Sequence, residues 1–530
     1  MLKLLCKLNI NLLSTLVVLV PLYNILSIWL TKFYTPLVFW KEAILVLICI
    51  IATRFLKPRD FKLFGIWIVL VSFSVFSSFI FNVESIRVYL IGFRFELLWV
   101  GFLSIIVPFF GKLSFENLKK IEFALILSNV LTIILSFSSL IFGSDLTNWL
   151  GFEDCHKIDF GIDTCRLSFP FTSSNHFGGV LVLFIGFFAY KYFDNNTKKS
   201  GLNTQLNVIR SQYELKNNQD KNIFKNKIKS LINNDFDNNS QELNKTKNSF
   251  QDLLQLRFLK NTLHGLITKK ISLIYLILVL LNLWLLFLTY SRSAWIAGIL
   301  IFGVGLLYTV FNVWKTNYNL MKKSLCPLDI SLRKGRTIRT LFFKISMAVI
   351  LLILGFSLTI TSINPDAYTR FLPTFLAKPS STIEHYRLTA VNLEILGTNP
   401  DILLTGNGLG QSGPAANYFD LSENTIKKNY GQLTYKWFIN EDRIVIPESW
   451  YLQLVLNGGL FYAFIWLVLV TVGLWNFIPN IKEFDPKLFL QLGLLGILVM
   501  NLFLHIFESQ AVVVLYIIIS GIAFVKTKKS

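Results

Sequence analysis

About twelve apolar segments, each roughly long enough to cross a lipid bilayer, run through the whole chain. A transmembrane helix needs about 20 mostly apolar residues, and every backbone polar group in lipid must find its hydrogen bond within protein. Apolar residues make up 53% of the 530 residues and the mean hydropathy is +0.55, which is too apolar for a soluble protein. The sequence therefore predicts an all-α, polytopic membrane protein with about 12 transmembrane helices, at residues 9–30, 36–55, 63–82, 88–110, 121–143, 173–193, 271–290, 293–314, 341–362, 450–476, 487–505 and 510–526.

The predicted helices form three groups that are separated by two long connections. Residues 1–193 hold helices 1 to 6, residues 271–362 hold helices 7 to 9, and residues 450–530 hold helices 10 to 12 and a tail. Residues 194–270 are rich in Asn, Lys, Gln and Asp, which predicts a low-complexity cytoplasmic insert. Residues 363–449 carry several turn signals and are predicted to form one large extracytoplasmic loop between helices 9 and 10.

The positive charge of the chain lies mainly in the connections between helices. The formal net charge is +20, and with twelve helices the basic connections fall on the same side as the N-terminus. The positive-inside rule makes that side cytoplasmic, so both termini are expected there. Because the excess charge would face an anionic inner leaflet, no nucleic acid is expected as a partner.

Cysteine and metal-ligand patterns carry little information. Cys155 and Cys165 share a connection that is predicted to lie outside the cytoplasm, where a disulfide is possible, and the sequence leaves paired and free thiols open. The sequence contains no C-x-x-C or H-E-x-x-H pattern and no Walker-type loop. Neither a metal nor a cofactor is therefore expected.

Two charged residues at the predicted ends of helices are candidates for chemistry. Arg292 stands in the run Tyr290-Ser291-Arg292-Ser293-Ala294-Trp295, between two apolar segments. Its planar donor fork suits phosphate or diphosphate oxygens, although an arginine that snorkels to headgroups fits the spacing as well. Glu448 stands at the start of predicted helix 10. Its carboxylate could interact favourably with the helix dipole, or it could act as a general base toward a hydroxyl group.

Three further features can be interpreted either as structural contacts or as parts of a functional site. Arg94 and Glu96 are two residues apart, so they do not face each other on a helix, and each needs a partner elsewhere in the bundle. The run from Gly406 to Gly410 predicts a tight turn in preference to a phosphate cradle. His505 and Glu508 are spaced to share a helix face, which is more typical of a packing contact than of a metal site.

The chain resembles the O-antigen ligase and polymerase superfamily of bacterial inner-membrane proteins. The resemblance rests on Arg292 with its two flanking serines, on Arg387 followed by the proline-to-glycine stretch from Pro400 to Gly410, and on the start of predicted helix 10. There the ligases carry a histidine, then Asn, Ser or Gln, nine residues, Gly, two residues, and Gly, Thr or Tyr. This chain has Glu448-Ser449, nine residues, Gly459, two residues and Tyr462, and the acidic residue is similar to polymerase-like members. A weaker similarity is the run Arg166-Leu-Ser-Phe-Pro-Phe with Asn175.

This resemblance implies a metal-independent glycosyltransferase of the GT-C type in the bacterial inner membrane. The donor would be a glycan on undecaprenyl diphosphate, and the acceptor a hydroxyl group on a glycan, a lipid or a protein. Glu448 would deprotonate the acceptor, and Arg292 would stabilise the leaving diphosphate. Arg387, with Arg166 and Arg94 as weaker candidates, would bind the same group. Polymerase and ligase both remain open.

Two other functions are compatible with the same predicted arrangement of transmembrane helices. A SEDS-type peptidoglycan polymerase also uses undecaprenyl diphosphate donors, although the position of Gly459 argues against it. A polysaccharide or lipid transporter, or flippase, would need no base at Glu448. It would be expected to show paired broken helices in two related halves, and the sequence shows no internal repeat.

Overall fold

A computed structural model describes residues 2–80, 86–149, 167–171, 173–195, 271–289, 291–323, 389–390, 392–393, 395–397, 400–413, 449–483 and 485–525. Every regular element among these residues is helical, which confirms the predicted all-α class. The ninth predicted helix, at residues 341–362, lies outside the described residues. So do most of the predicted insert at 194–270, much of the predicted loop at 363–449, and Cys155 and Cys165.

The first half of the chain is a run of helices joined by short connections. Between residues 2 and 149 the helices are α1 (Leu2–Val18), α2 (Tyr23–Phe33), α3 (Trp40–Thr53), α4 (Lys62–Ile80), α5 (Ile86–Gly92), α6 (Trp99–Phe110) and α7 (Phe115–Trp149). A π-helical stretch, Phe93–Leu98, joins α5 to α6 without a break. A 3-10 turn, Val20–Leu22, joins α1 to α2.

The later helices are separated by longer connections. They are α8 (Ser174–Asn195), α9 (Ile271–Leu288), α10 (Arg292–Lys323), α11 (Pro400–Thr405), α12 (Trp450–Val470), α13 (Phe477–Glu483), α14 (Leu488–Met500) and α15 (Gln510–Phe524). Residue contacts divide the chain into two units, Met1–Phe187 with Leu280–Ser530, and Phe188–Val279. In the second unit the ring of Phe188 stacks on that of Tyr275 at 6.1 Å.

Seven helical stretches among the described residues are long and apolar enough to cross a membrane. An eighth is obtained if α1 and α2, which are bent by 53° relative to each other, count as one span. The residues Arg292–Gly305 of α10, and helices α14 and α15, are apolar but shorter. A polytopic helical membrane protein is therefore confirmed, while the predicted count of about 12 spans is not reached in the described part of the chain.

Two helices that were predicted to be continuous are broken. The segment predicted at 9–30 ends at Val18 and resumes at Tyr23, because Pro21 in the intervening turn lacks a backbone N–H and cannot continue the helical hydrogen bonds. The segment predicted at 450–476 has non-helical backbone at Gly459, with φ 80° and ψ 177°. Positive φ at this ψ is open in practice only to glycine.

The core of the first unit lies where α6, α12 and α15 meet. All twelve residues of α6 are buried. The rings of Trp99 in α6 and Trp466 in α12 meet edge to face at 5.5 Å, and Phe507 packs against both, at 4.6 Å from Trp99 and 5.5 Å from Trp466. Large aromatic side chains bury much apolar surface and favour such edge contacts. This cluster fixes α12 against the rest of the bundle.

The helices of the first unit have two distinct ends. At one, here called the polar end, α5, α8, α10, α12 and α15 begin. The backbone N–H of Trp450, at the start of α12, donates to the carbonyl of Asn501, just after α14, at 3.0 Å. At the other, here called the basic end, α1, α4 and α7 begin, and Lys112 and Asp60 form an ion pair of 2.7 Å. Helix α1 ends toward the polar end, because Tyr23 just after it packs on Trp40 at the start of α3, and the nearby Glu42 is bonded to Gln510 at the start of α15. Helices α1 and α7 therefore run parallel, from the basic end toward the polar end.

Candidate functional site

Four helix N-termini meet at the polar end. Helix α8 approaches α10 so closely that a Cβ added to Gly178 would lie 2.7 Å from the Cβ of Ala294. A Cβ added to Gly179 would lie 2.9 Å from Ile506, just before α15. The start of α12 is bonded to the connection between α14 and α15. Since each helix N-terminus carries a partial positive charge and unpaired N–H groups, their convergence favours an anion.

Arg292 is the first residue of α10 and is half-buried between the buried serines 291 and 293. The preceding junction is held by the indole of Trp295, which donates to the carbonyl of Leu286 at 3.0 Å. The hydroxyl of Thr289 donates to the same carbonyl at 2.7 Å. A cation at a helix N-terminus opposes the helix dipole. An arginine at this position therefore does not stabilise the helix through its dipole.

A histidine and a glutamate lie beside the start of α12. Nδ1 of His505 is 2.8 Å from Oε1 of Glu508, and the two side chains are 10% and 19% exposed. The contact is an ion pair when His505 is protonated. The ring of Trp450 meets the His505 ring edge to face at 5.7 Å. The imidazole of His176, near the start of α8, is hydrogen-bonded to the backbone of His505. These contacts connect the starts of α8 and α12 directly.

Glu96 is fully buried at the π-helical stretch and anchors α12. Its carboxylate accepts hydrogen bonds from Nε2 of Gln453 at 2.7 Å, from Nδ2 of Asn457, and from the Tyr462 hydroxyl at 3.0 Å. Its backbone carbonyl accepts from the indole of Trp466 at 3.0 Å. A buried carboxylate is costly unless it is hydrogen-bonded, and all four donors here belong to one helix. Glu96 thus fixes the position of α12 relative to the junction of α5 and α6.

The glycine turn, residues 406–413, packs on the kink of α12. The backbone N–H of Asn407 donates to the carbonyl of Leu456 at 2.7 Å, and that of Gly408 donates to the carbonyl of Asn457 at 3.1 Å. Asn457 also accepts from the N–H of Ser412 at 2.8 Å through its side-chain oxygen. Gly406, Gly408, Gly410 and Gly413 all have positive φ. The predicted tight turn is confirmed, and its N–H groups at 407, 408 and 412 are bound to α12.

Arg94 belongs to a second polar group at the same end of the bundle. Its guanidinium contacts the Glu42 carboxylate at 2.7 and 2.8 Å, and the side-chain amide of Gln510 donates to the same carboxylate oxygen. Lys41, Glu42, Arg94, Glu508 and Gln510 line a cavity of about 30 Å³, which has space for about one water molecule. Arg94 therefore ties α3 to the start of the π-helical stretch.

The structure describes two of the five predicted site residues. Arg292 and Arg94 both lie toward the polar end, in different groups of contacts. Glu448, Arg387 and Arg166 lie outside the described residues, so their predicted roles stay predictions. Ser449, next to Glu448, is the N-cap residue of α12, and its side chain makes no capping hydrogen bond.

Three polar groups were not singled out as site residues by the sequence. Glu42 is a lone carboxylate in an apolar segment, which is itself a signal of a buried partner. Gln453 and Asn457 are four residues apart in an apolar helix, so they share the face that meets Glu96. Among the described residues, no group of three or more His, Cys, Asp and Glu side chains is arranged to hold a metal ion.

No family model, no curated protein and no solved structure matches the chain. The geometry of the polar end is therefore the basis for assigning a function.

Proposed function

We propose that this protein is a metal-independent membrane glycosyltransferase of the O-antigen polymerase and ligase type. It transfers a glycan from undecaprenyl diphosphate to an acceptor hydroxyl group at the extracytoplasmic face of a bacterial inner membrane. The observation that carries the proposal is the position of Arg292. It is a half-buried arginine at a helix N-terminus, at the end of the bundle where three other helix N-termini also lie.

The departing group of such a reaction is a diphosphate, on which negative charge develops. Preorganised cations and helix N-termini stabilise that charge without a metal, and they are most effective where water is excluded. Arg292 supplies a planar donor fork that matches phosphate oxygens. Arg387 and, more weakly, Arg166 and Arg94 are proposed as further contacts to the donor. The pairing of Arg94 with Glu42 makes Arg94 the weakest of these candidates.

The acceptor hydroxyl group needs a base, and Glu448 is proposed for that role. It immediately precedes the N-cap of α12, whose start is held by the backbone bond from Trp450 to Asn501. The His505–Glu508 pair lies against Trp450, so polar groups continue from the start of α12 into the bundle. A base at this place would act close to the converging helix N-termini.

The distribution of charge supports an extracytoplasmic site. The basic end carries exposed Arg54, Arg59, Lys62, Lys112 and Lys119, in the short connections and the first two turns of helices. By the positive-inside rule this end faces the cytoplasm. The polar end, with Arg292 and the start of α12, then faces the opposite side, where lipid-linked glycans are used.

The test is turnover of a labelled lipid-linked glycan by purified protein in detergent. Arg292→Ala is expected to lower the rate by about 10²- to 10³-fold, as for the loss of one stabilising donor, with Arg292→Lys intermediate. Glu448→Gln is expected to abolish transfer while the protein still binds the donor. Arg54→Ala, which removes an exposed arginine at the basic end, is the matched control and should retain full activity. Full activity of the Arg292→Ala or Glu448→Gln variant would remove that residue's assignment.

A proton-coupled transporter or flippase is the second candidate. It is favoured by the ionisable residues inside the apolar bundle, namely Glu42, Arg94, Glu96, His505 and Glu508, since intramembrane charges often mark proton or substrate pathways. Transport cannot be measured in detergent because there are no separate compartments, whereas formation of a glycosidic bond can be measured there. Substrate movement in proteoliposomes without bond formation in detergent would favour this alternative. Competition by a lipid-linked peptidoglycan precursor would instead indicate a peptidoglycan polymerase.

A further inference from the structure

A second site lies far from the polar end, in a groove between α1 and α7. The groove has a volume of about 520 Å³ and opens to the outside of the bundle. Its walls include Lys119, Lys120, Phe123 and Leu127 from α7, and Ser14 from α1. Both helices begin at the basic end, so positions further along either helix lie deeper in the membrane.

The groove is cationic at its mouth and apolar further in. Lys119 and Lys120 stand in the second turn of α7, and both are exposed. Phe123 and Leu127 follow Lys119 at intervals of four residues and therefore line the same helix face. Eight residues of helix span about 12 Å, which is enough to receive the upper part of an acyl chain. Val18 and Leu19 of α1 extend this apolar wall.

The polar groups at the mouth suit an anion. The ammonium group of Lys119 lies 4.4 Å from the centroid of the Phe115 ring, which holds it at the end of the helix. The groove-lining residues that the structure describes include two lysines and no carboxylate. The hydroxyl oxygen of Ser14 is buried and has no hydrogen-bond partner within the described part of the chain. A buried hydroxyl without a partner is costly, and a phosphate or ester oxygen would supply one.

We propose that this groove binds an anionic phospholipid from the leaflet at the basic end. The phosphate group binds between Lys119 and Lys120, the Ser14 hydroxyl donates to a headgroup or ester oxygen, and one acyl chain lies along Phe123 and Leu127. Basic residues next to transmembrane helices commonly attract anionic headgroups. The apolar wall distinguishes a lipid from a soluble phosphate, which would use the lysines alone. The proposal does not depend on the reaction at the polar end.

Native mass spectrometry of the full-length protein tests the site. The delipidated protein is titrated with phosphatidylglycerol or with phosphatidylcholine of the same acyl chains. We expect preferential binding of phosphatidylglycerol, and a loss of about 25-fold in affinity in the Lys119→Gln/Lys120→Gln variant, about fivefold for each lysine. The matched control is Arg54→Gln/Lys62→Gln, which removes the same charge from the same end, outside the groove, and should bind as wild type.

A second variant tests the apolar wall independently of charge. Thr15 lines the groove and is exposed, so Thr15→Phe is expected to fill the space and weaken phosphatidylglycerol binding without changing the fold. Glycerol phosphate in excess should fail to displace the lipid. The proposal would be overturned if the protein bound the two lipids with equal affinity. It would also be overturned if Lys119→Gln/Lys120→Gln and Thr15→Phe both bound phosphatidylglycerol as wild type does. Displacement by glycerol phosphate would show a soluble phosphate site instead.

Discussion

Gly459 at the kink of α12 is a position where one added methyl group should strongly destabilise the fold. Its backbone has φ 80° and ψ 177°, a region that only glycine occupies readily. A Cβ built at Gly459 would lie 2.4 Å from the carbonyl oxygen of Leu404 and 2.6 Å from its carbonyl carbon. These atoms belong to the backbone of α11, so they cannot move aside as a flexible side chain would.

The cost of Gly459→Ala can be worked out from these contacts. Forcing alanine into this backbone region costs about 1–3 kcal/mol. If α11 moves to relieve the clash, the glycine turn loses its bonds from Asn407 to Leu456 and from Gly408 to Asn457. Each such hydrogen bond contributes about 1 kcal/mol. Gly459→Ala is therefore expected to lower the free energy of unfolding by about 3–5 kcal/mol, from about 1–3 for strain and about 2 for the two bonds.

Unfolding in detergent with increasing denaturing surfactant measures this cost. The matched control is Gly65→Ala, because a Cβ added at Gly65 in α4 would meet nothing within 4 Å. Alanine in an exposed helix interior is favoured over glycine by about 1 kcal/mol, so the control should be neutral or more stable than wild type. A Gly459→Ala protein as stable as Gly65→Ala would refute the account of the kink, since both changes add the same methyl group.

Two further substitutions test the buried polar contacts in the same unfolding assay. Tyr462→Phe removes a hydroxyl that donates to Glu96 at 3.0 Å and should cost about 1–3 kcal/mol, because a buried acceptor loses a partner; a cost near zero would show that the bond is not made. Arg94→Gln removes the arginine from the Glu42 carboxylate, which keeps the hydrogen bond from Gln510, and should cost about 3 kcal/mol. The Arg94→Gln/Glu42→Gln double variant should recover part of that loss, and additive costs would contradict a direct pair.

The helical class and most helix positions were predictable because lipid imposes them. A long apolar run in lipid forms a helix because a helix satisfies the backbone hydrogen bonds of the run within itself. Eleven of the predicted segments coincide with described helices. The break between α1 and α2 was missed, although Pro21 signals it. The irregular backbone at Gly459 was missed as well, since a glycine within an apolar run is compatible with both a straight and a kinked helix.

The sequence predicted that Arg94 and Glu96 need buried polar partners, but it did not identify those partners. The two-residue spacing of Arg94 and Glu96 predicted separate partners, and this is confirmed. The partners themselves are distant in the chain, since Glu42 is 52 residues from Arg94 and Asn457 is 361 residues from Glu96. One sequence gives no distance information over such separations. The roles of Arg292, Arg387 and Glu448 depend on the proposed reaction and stay predictions.

The kink of α12 at Gly459 explains why the glycine turn packs against this helix. A broken helix in lipid must satisfy the carbonyl and N–H groups that the break frees. At the kink of α12 the glycine turn takes up the carbonyls of Leu456 and Asn457. The Asn457 side chain is shared between this turn and Glu96 in the π-helical stretch. The turn is thus required by the backbone of α12, whatever the chemistry. The turn contacts α12 at Leu456 and Asn457, six and seven residues after the helix begins at Trp450, so it supports the middle of the helix. In the chain, Arg387 precedes this turn and Glu448 follows it, and their roles in the proposed reaction stay predictions.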